Sequence, residues 1–224
     1  SSVNKKIDVI YNGYDNLPDI ETLSSINKKD LNLCYVGTLY DGKRDLSPLF
    51  KILNAFLVDG RKENLKFHYA GSDIKTLVSQ ASKYGLSSNI INHGYVSRLQ
   101  SMKIQKSCDF VVVGTWNSMQ EKGILTGKMF EAFMLRKPII GIVNGDLQNS
   151  EFKNLIEGCN AGIAIESNFL SETDQNNIID ILSRVMQSKN DSSKENSISK
   201  FTFDVDQFHY KEIFNNLSNI LISL

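Results

Sequence analysis

The stretch "CDFVVVG" at residues 108–114, with "EKGILTGKMFEAFMLRKPIIGIV" following at 121–143, reads as strand, polar turn, helix and strand in succession. "CDFVVVG" and "PIIGIV" are short, nearly uninterrupted apolar runs, the pattern of strands buried on both faces, and the segment between them carries apolar residues at helical spacing. Such a unit places two parallel strands in one sheet with a crossover helix on its face.

Working outward, the same alternation recurs. Upstream, "LNLCYVG" (31–37), "LKFHYAG" (65–71) and "NIINHGYV" (89–96) read as strands. Between them lie the helices "PLFKILNAFL", which Ser47 caps and Pro48 opens, and "IKTLVSQASKYG", which Asp73 caps and Gly85 ends. Ser97 and Gln100 form a capping-box pattern ahead of "RLQSMKIQKS". Downstream come a helix around "SEFKNLIEG", the strand "AGIAIE", and the long helix "SETDQNNIIDILSRVMQS" capped by Ser171. Six strands with helices between them specify a doubly wound α/β domain with a parallel sheet.

The ends read differently. "IDVIYNGYD" near the start is strand-like and leads into a polar connection. "KNDSSKENSISK" (189–200) is polar and reads as a linker. In the last segment Phe208, Ile213, Phe214, Leu217, Ile220 and Leu221 fall near helical spacing, as in a terminal helix packed on the domain.

Composition narrows the partners. Lys+Arg and Asp+Glu balance at 25 each, so no global positive field favours nucleic acid. Cys34, Cys108 and Cys159 are far apart and lack a second Cys or His at ligand spacing, which reads as reduced thiols in a cytoplasmic compartment. No run approaches the ~20 apolar residues of a membrane span.

In open α/β sheets ligands bind beyond the carboxyl ends of the strands, which singles out three turns. In "GTLYDGKRD" (37–45), Gly37 and Gly42 allow close backbone approach, and Lys43 and Arg44 are cations suited to a diphosphate; a solvated turn with two surface cations is the other reading. In "HGYVS" (93–97) a flat base could lie against exposed backbone, whereas His93 belongs to no Ser-His-Asp order. In the third turn a helix starting near Thr126-Gly127 offers free N–H groups, with Lys128 adding a full charge. Glu131 would repel a phosphate there but suits a ribose or sugar diol. A mere acid at a helix start is worth only ~0.3–1 kcal/mol. Together the turns describe a sugar-nucleotide site.

The order "NGYD", "YVGTLYDGKRD", "HYAGS", "HGYVS", "CDFVVV" and "TGKMFEAFMLRKPIIG" resembles the C-terminal, donor-binding half of GT-B glycosyltransferases, in particular the large retaining family called glycosyltransferase group 1. The resemblance runs from about Val9 to the last helix and implies a Rossmann-like fold. It implies ribose binding by Glu131 and base contact by Tyr95 and Val96. Diphosphate binding would fall to Gly37, Thr38, Lys43, Arg44, Thr126, Gly127 and Lys128. It further implies residues 1–30 as an interdomain connector, 31–188 as the nucleotide-sugar domain, 189–200 as a linker and 201–224 as a helix packing on it. The acceptor site would then sit on an N-terminal domain outside this chain. The implied reaction moves a hexosyl group from a UDP- or GDP-linked sugar to a saccharide or lipid-linked acceptor in polysaccharide biosynthesis, in the cytoplasm or at the inner membrane face, with no metal and no other cofactor. Two positions depart from the family: Gly123 stands where relatives often carry a sugar-binding glutamate, and Thr38 where they often carry an arginine. "DVD" (204–206) reads as an acid pair at a helix start rather than a metal motif. The rival readings are a sugar-nucleotide epimerase of the same fold and a non-catalytic nucleotide-binding module.

Overall fold

A computed structural model describes residues 7–40, 43–57, 64–190 and 200–222. The strands are β1 (Leu31–Val36), β2 (Leu65–Ala70), β3 (Ile90–Asn92), β4 (Phe110–Trp116), β5 (Ile139–Asn144) and β6 (Gly162–Glu166). They form one sheet in the order β3-β2-β1-β4-β5-β6, every pair parallel. The helices are α1 (Ser47–Phe56), α2 (Ile74–Ser82), α3 (Arg98–Ser107), α4 (Gly127–Met134), α5 (Glu151–Gly158), α6 (Glu172–Asn190) and α7 (Tyr210–Ile222). The doubly wound parallel sheet expected from the alternating pattern is the fold observed.

The twofold period of the strands divides the core. Leu33 and Tyr35 of β1, Phe67 and Tyr69 of β2, and Phe110 and Val112 of β4 point to one face, where α1, α2 and α6 cover them through residues such as Phe50, Leu77 and Leu182. Cys34, Val111 and Val113 point to the other, covered by α3, α4 and α5 through Met102, Phe130, Phe133 and Ile156. Coverage on both sides is why the strands read as unbroken apolar runs.

The helix starts follow the sequence at Ser97, whose hydroxyl accepts the Gln100 N–H at 3.2 Å, and at Ser171, which accepts from Asp174 at 3.1 Å. They depart from it at two others. Ser47 lies inside α1, one position past the Leu46 N-cap, with its hydroxyl buried and unpartnered, and Asp45 accepts the Ser47 N–H at 2.9 Å. Asp73 occupies the N-cap position of α2 but makes no cap bond; its carboxylate is used elsewhere. Gly85, with φ +67°, ends the α2 turn as expected.

The termini correct three expectations. "IDVIYNGYD" forms no strand: Tyr14 makes a single bridge to His209, because the backbone it meets is a turn rather than a sheet edge. α6 runs through Lys189 to Asn190, the Lys189 ammonium lying 2.8 Å from Asp109, so the polar segment begins later than 189; residues 191–199 lie outside the described ones. The packing expected of the last helix is made just before it, by buried Phe201, Val205 and Phe208, whereas α7 has no buried residue and exposes Phe214 and Leu221.

Candidate functional site

The strand order reverses between β1 and β4, so the chain leaves these neighbours in opposite directions and opens a crevice beyond their carboxyl ends. A cavity of about 680 Å³ lies there, walled by the turns after β1, β2 and β3, by the N-termini of α3 and α4, and by Asn12, Gly13 and Tyr210 from the two terminal segments. Of the residues singled out in the sequence, Gly37, Thr38, Arg44, Tyr95, Val96, Thr126, Gly127, Lys128 and Glu131 all line it. Lys43 does not, and Gly42 lies outside the described residues.

The turn after β1 is braced from below. Gly37 adopts φ +132°, a conformation that disfavours a side chain, and a Cβ there would meet nothing within 4 Å, so the turn presents bare backbone to the cavity. The Asp73 carboxylate accepts the Leu39 N–H at 2.7 Å, the Tyr69 hydroxyl donates to the Gly37 carbonyl at 3.2 Å, and the Tyr35 hydroxyl donates to the Thr38 carbonyl at 2.8 Å. Burial pushes the Tyr35 phenol up to about 12, so it stays a donor.

Arg44 reaches back over this turn. Its Nη1 donates to the Thr38 carbonyl at 3.0 Å, its guanidinium lies 4.5 Å from the Tyr40 ring centroid, and its Nε is buried without a partner. Lys43 turns the other way: its ammonium pairs with Glu121 at 2.8 Å and sits 4.9 Å from the Trp116 ring centroid. The hydrogen bond from Lys43 holds the Glu121 carboxyl below the usual range. The expected diphosphate cation at 43 is therefore tied to a carboxylate from the turn after β4.

The opposite wall is the start of α4. Thr126 caps it in position but makes no side-chain cap bond, and its Oγ1 is buried without a partner. The first N–H groups of α4 therefore have no side-chain acceptor, and a Cβ on Gly127 would meet nothing within 4 Å. A helix start with free N–H groups carries the positive end of the helix dipole, and Lys128 of the same first turn also lines the cavity. One turn on, Glu131 is held by three donors. The Gln105 amide donates to its Oε1 in a short hydrogen bond, the Ser101 hydroxyl lies 3.5 Å from the same oxygen, and Lys128 Nζ is 3.4 Å from both oxygens. The Glu131 side chain is only 10% exposed.

The turn after β3 supplies the outer wall. Tyr95 is 94% exposed and Val96 is half-buried. The turn is fixed through His93: its N–H donates to the Tyr69 carbonyl at 2.7 Å, and its Nε2 lies 2.9 Å from Nδ1 of buried His68. His68 Nε2 faces Asn32 Oδ1 at 3.0 Å, and that oxygen can only accept. His68 thus carries its proton on Nε2 and accepts from His93. Burial, then the neighbouring His93 and Lys66, lower the His68 pKa to about 4.

Gln105, Ser101, Asp73 and the histidine pair were not singled out as site residues in the sequence. Ser101 and Gln105 do carry a signal, being polar positions four apart on a helix that must pack against the sheet. Among the described residues no group of three or more His, Cys, Asp or Glu is placed to hold a metal ion, and no helix is long and apolar enough to cross a membrane.

No protein-family model matches the sequence, and no curated protein sequence matches it. Solved structures do match. The lipopolysaccharide outer core galactosyltransferase WaaB, in its apo form, superposes with TM-score 0.64 at 15% identity over 96% of this chain and 55% of its own. The pneumococcal O-GlcNAc transferase GtfA, in complex with UDP and GlcNAc, gives 0.59 at 18% over 100% of this chain and 41% of its own. HepE from Anabaena, in complex with UDP-glucose, gives 0.58 at 16% over 97% and 57%. The chain spans about half the length of these proteins and shares their Rossmann-like α/β fold, two of them being named as a galactosyltransferase and an O-GlcNAc transferase.

Proposed function

We propose that the chain is the donor-binding domain of a retaining glycosyltransferase that takes a sugar from a nucleoside diphosphate, UDP or GDP, and passes it to a saccharide or lipid-linked acceptor held by a separate domain. One observation carries this reading. An uncapped helix start with a lysine, and a nearly buried carboxylate one turn further on, share the wall of a cavity at the topological switch point. The spacing matches a diphosphate followed by a ribose. The complexes of GtfA with UDP and of HepE with UDP-glucose support the same ligand class.

In this reading the α4 N–H groups, the Thr126 hydroxyl, the Gly37-Thr38 backbone and Arg44 surround the diphosphate. They stabilise the charge that builds on it as the glycosidic C–O bond breaks, a contribution of about 3 kcal/mol per well-placed donor. Thr126 Oγ1 and Arg44 Nε are buried without partners, and they become donors to such oxygens only if their side chains shift towards the cavity. Glu131 accepts from the ribose, and Tyr95 and Val96 lie along the base. Residues 1–30 belong to this domain's connection with the acceptor domain, and no metal enters the scheme.

Calorimetry tests the site. Binding of UDP or GDP in EDTA, weakened at least tenfold in Lys128→Ala and in Glu131→Ala, supports it. Binding of neither nucleotide, or affinity unchanged in both variants, overturns it, and turnover of a free sugar nucleotide by the chain alone would point to an epimerase.

A further inference from the structure

We infer that Gln105 is a positioning residue that sets the orientation of Glu131, so that Oε2 alone faces the ribose; this rests on the site reading above. Gln105 is fully buried on α3, behind the cavity wall, and does not line the cavity. Its amide nitrogen faces Glu131 Oε1, Ser101 Oγ at 3.1 Å and the Ser101 carbonyl at 3.4 Å. Its amide oxygen is buried without a donor. An amide turned the other way would set its oxygen against the carboxylate, so Glu131 dictates the orientation despite the unpaired oxygen, a costly arrangement for a purely structural side chain.

The consequence lies on the carboxylate. Oε1 is occupied by Gln105, with Ser101 beside it, whereas among the described residues Oε2 has only Lys128, at 3.4 Å. Glu131 therefore offers one oxygen to the diol rather than two. Without Gln105 the carboxylate turns about its last torsion, and the hydroxyls lose a fixed acceptor while the phosphate wall stays intact.

The test compares UDP and GDP with their 2′,3′-dideoxy forms and with pyrophosphate, by calorimetry on the 224-residue chain. For the nucleotide that binds, the diol improves affinity about tenfold in the wild type, as a hydrogen bond to a charged group would. Glu131→Ala abolishes that ratio. Gln105→Met, nearly isosteric, reduces it to below about threefold while pyrophosphate affinity stays at the wild-type level. If Gln105→Met does not fold, Gln105→Ala, which removes the donor without adding bulk or charge, is read in the same way. A wild-type ratio in the Gln105 variant alongside a lost ratio in Glu131→Ala overturns the positioning role and leaves the site reading standing. Equal weakening of all probes, pyrophosphate included, also overturns it, because that is the signature of general damage. A wild-type ratio in Glu131→Ala, or no nucleotide binding at all, removes the site reading and this inference with it.

Discussion

Acidification should loosen the domain through the His68–His93 pair. His68 is buried, and its pKa falls from the ordinary 6.5 to about 4. Burial lowers the His93 pKa as well. A base that is harder to protonate when folded contributes stability above its unfolded pKa. That stability is lost as pH drops from about 6.5 towards 4, because the unfolded chain takes up the proton first. At full weight the His68 shift corresponds to about 3 kcal/mol, and water reaching the half-buried His93 reduces the working figure to about 2 kcal/mol. Buried Asp109, whose pKa is raised, contributes with the opposite sign, so the informative quantity is a difference between variants. Urea unfolding at pH 7.5, 6.0 and 5.0 should show His68→Gln less stable than wild type at pH 7.5, with the gap closing by about 2 kcal/mol at pH 5.0. A gap that stays constant across this range would refute the account. His93 lies two positions before the Tyr95–Val96 wall of the cavity, so nucleotide affinity should decline over the same pH window.

Three further outcomes follow from particular contacts. Gly37→Ala places a methyl in open space but imposes φ +132° on alanine, so a loss of about 1–2 kcal/mol by thermal unfolding is expected, together with weaker pyrophosphate binding. Gly145→Ala, with φ +118° and a Cβ that would lie 2.1 Å from the Asn117 carbonyl, should cost more than Gly37→Ala in the same assay. Glu121→Gln releases Lys43 from its exposed pair, and pyrophosphate affinity should rise about two- to fivefold with a steeper dependence on salt; an unchanged salt slope would show that Lys43 does not reach the anion.

The parts of the fold that the sequence reveals are those specified by neighbours in the chain. β1, β4 and β5 stand out because both faces of the sheet are covered, and the start of α4 because Thr126-Gly127-Lys128 breaks an apolar pattern. What was missed depends on distant partners. Lys43 looks like a free cation until Glu121, 78 positions away, is placed beside it. Asp73 looks like a helix cap until the turn at Leu39 takes its carboxylate. "IDVIYNGYD" has strand composition, but a strand requires a sheet edge, and the backbone next to Tyr14 belongs to the turn at Phe208–Tyr210. Gln105 stands out only as a polar position on a packing helix, and its role stays hidden for the same reason, since it exists only where α3 meets α4.

The charges on α4 set stability against function. Met129, Phe130, Ala132, Phe133 and Met134 bury this helix, and Glu131 sits among them with its carboxylate nearly removed from water. The Lys128 pair at 3.4 Å is long, and Gln105 is left with an unpartnered oxygen, so the cluster offsets the desolvation of the carboxylate only in part. Replacing both members together removes the buried charge and the buried amide at once. The double variant Glu131→Met, Gln105→Met should therefore be as stable as the wild type or more stable, by up to about 2 kcal/mol, while nucleotide binding is lost. Glu131→Met alone should be less stable than the double variant, because it strands the Gln105 amide. If the double variant instead loses more than about 2 kcal/mol, the carboxylate is a structural element of the α3–α4 contact. A gain in stability coupled to a loss of binding is what a buried acid kept for its ligand requires, and what an acid kept for packing could not produce.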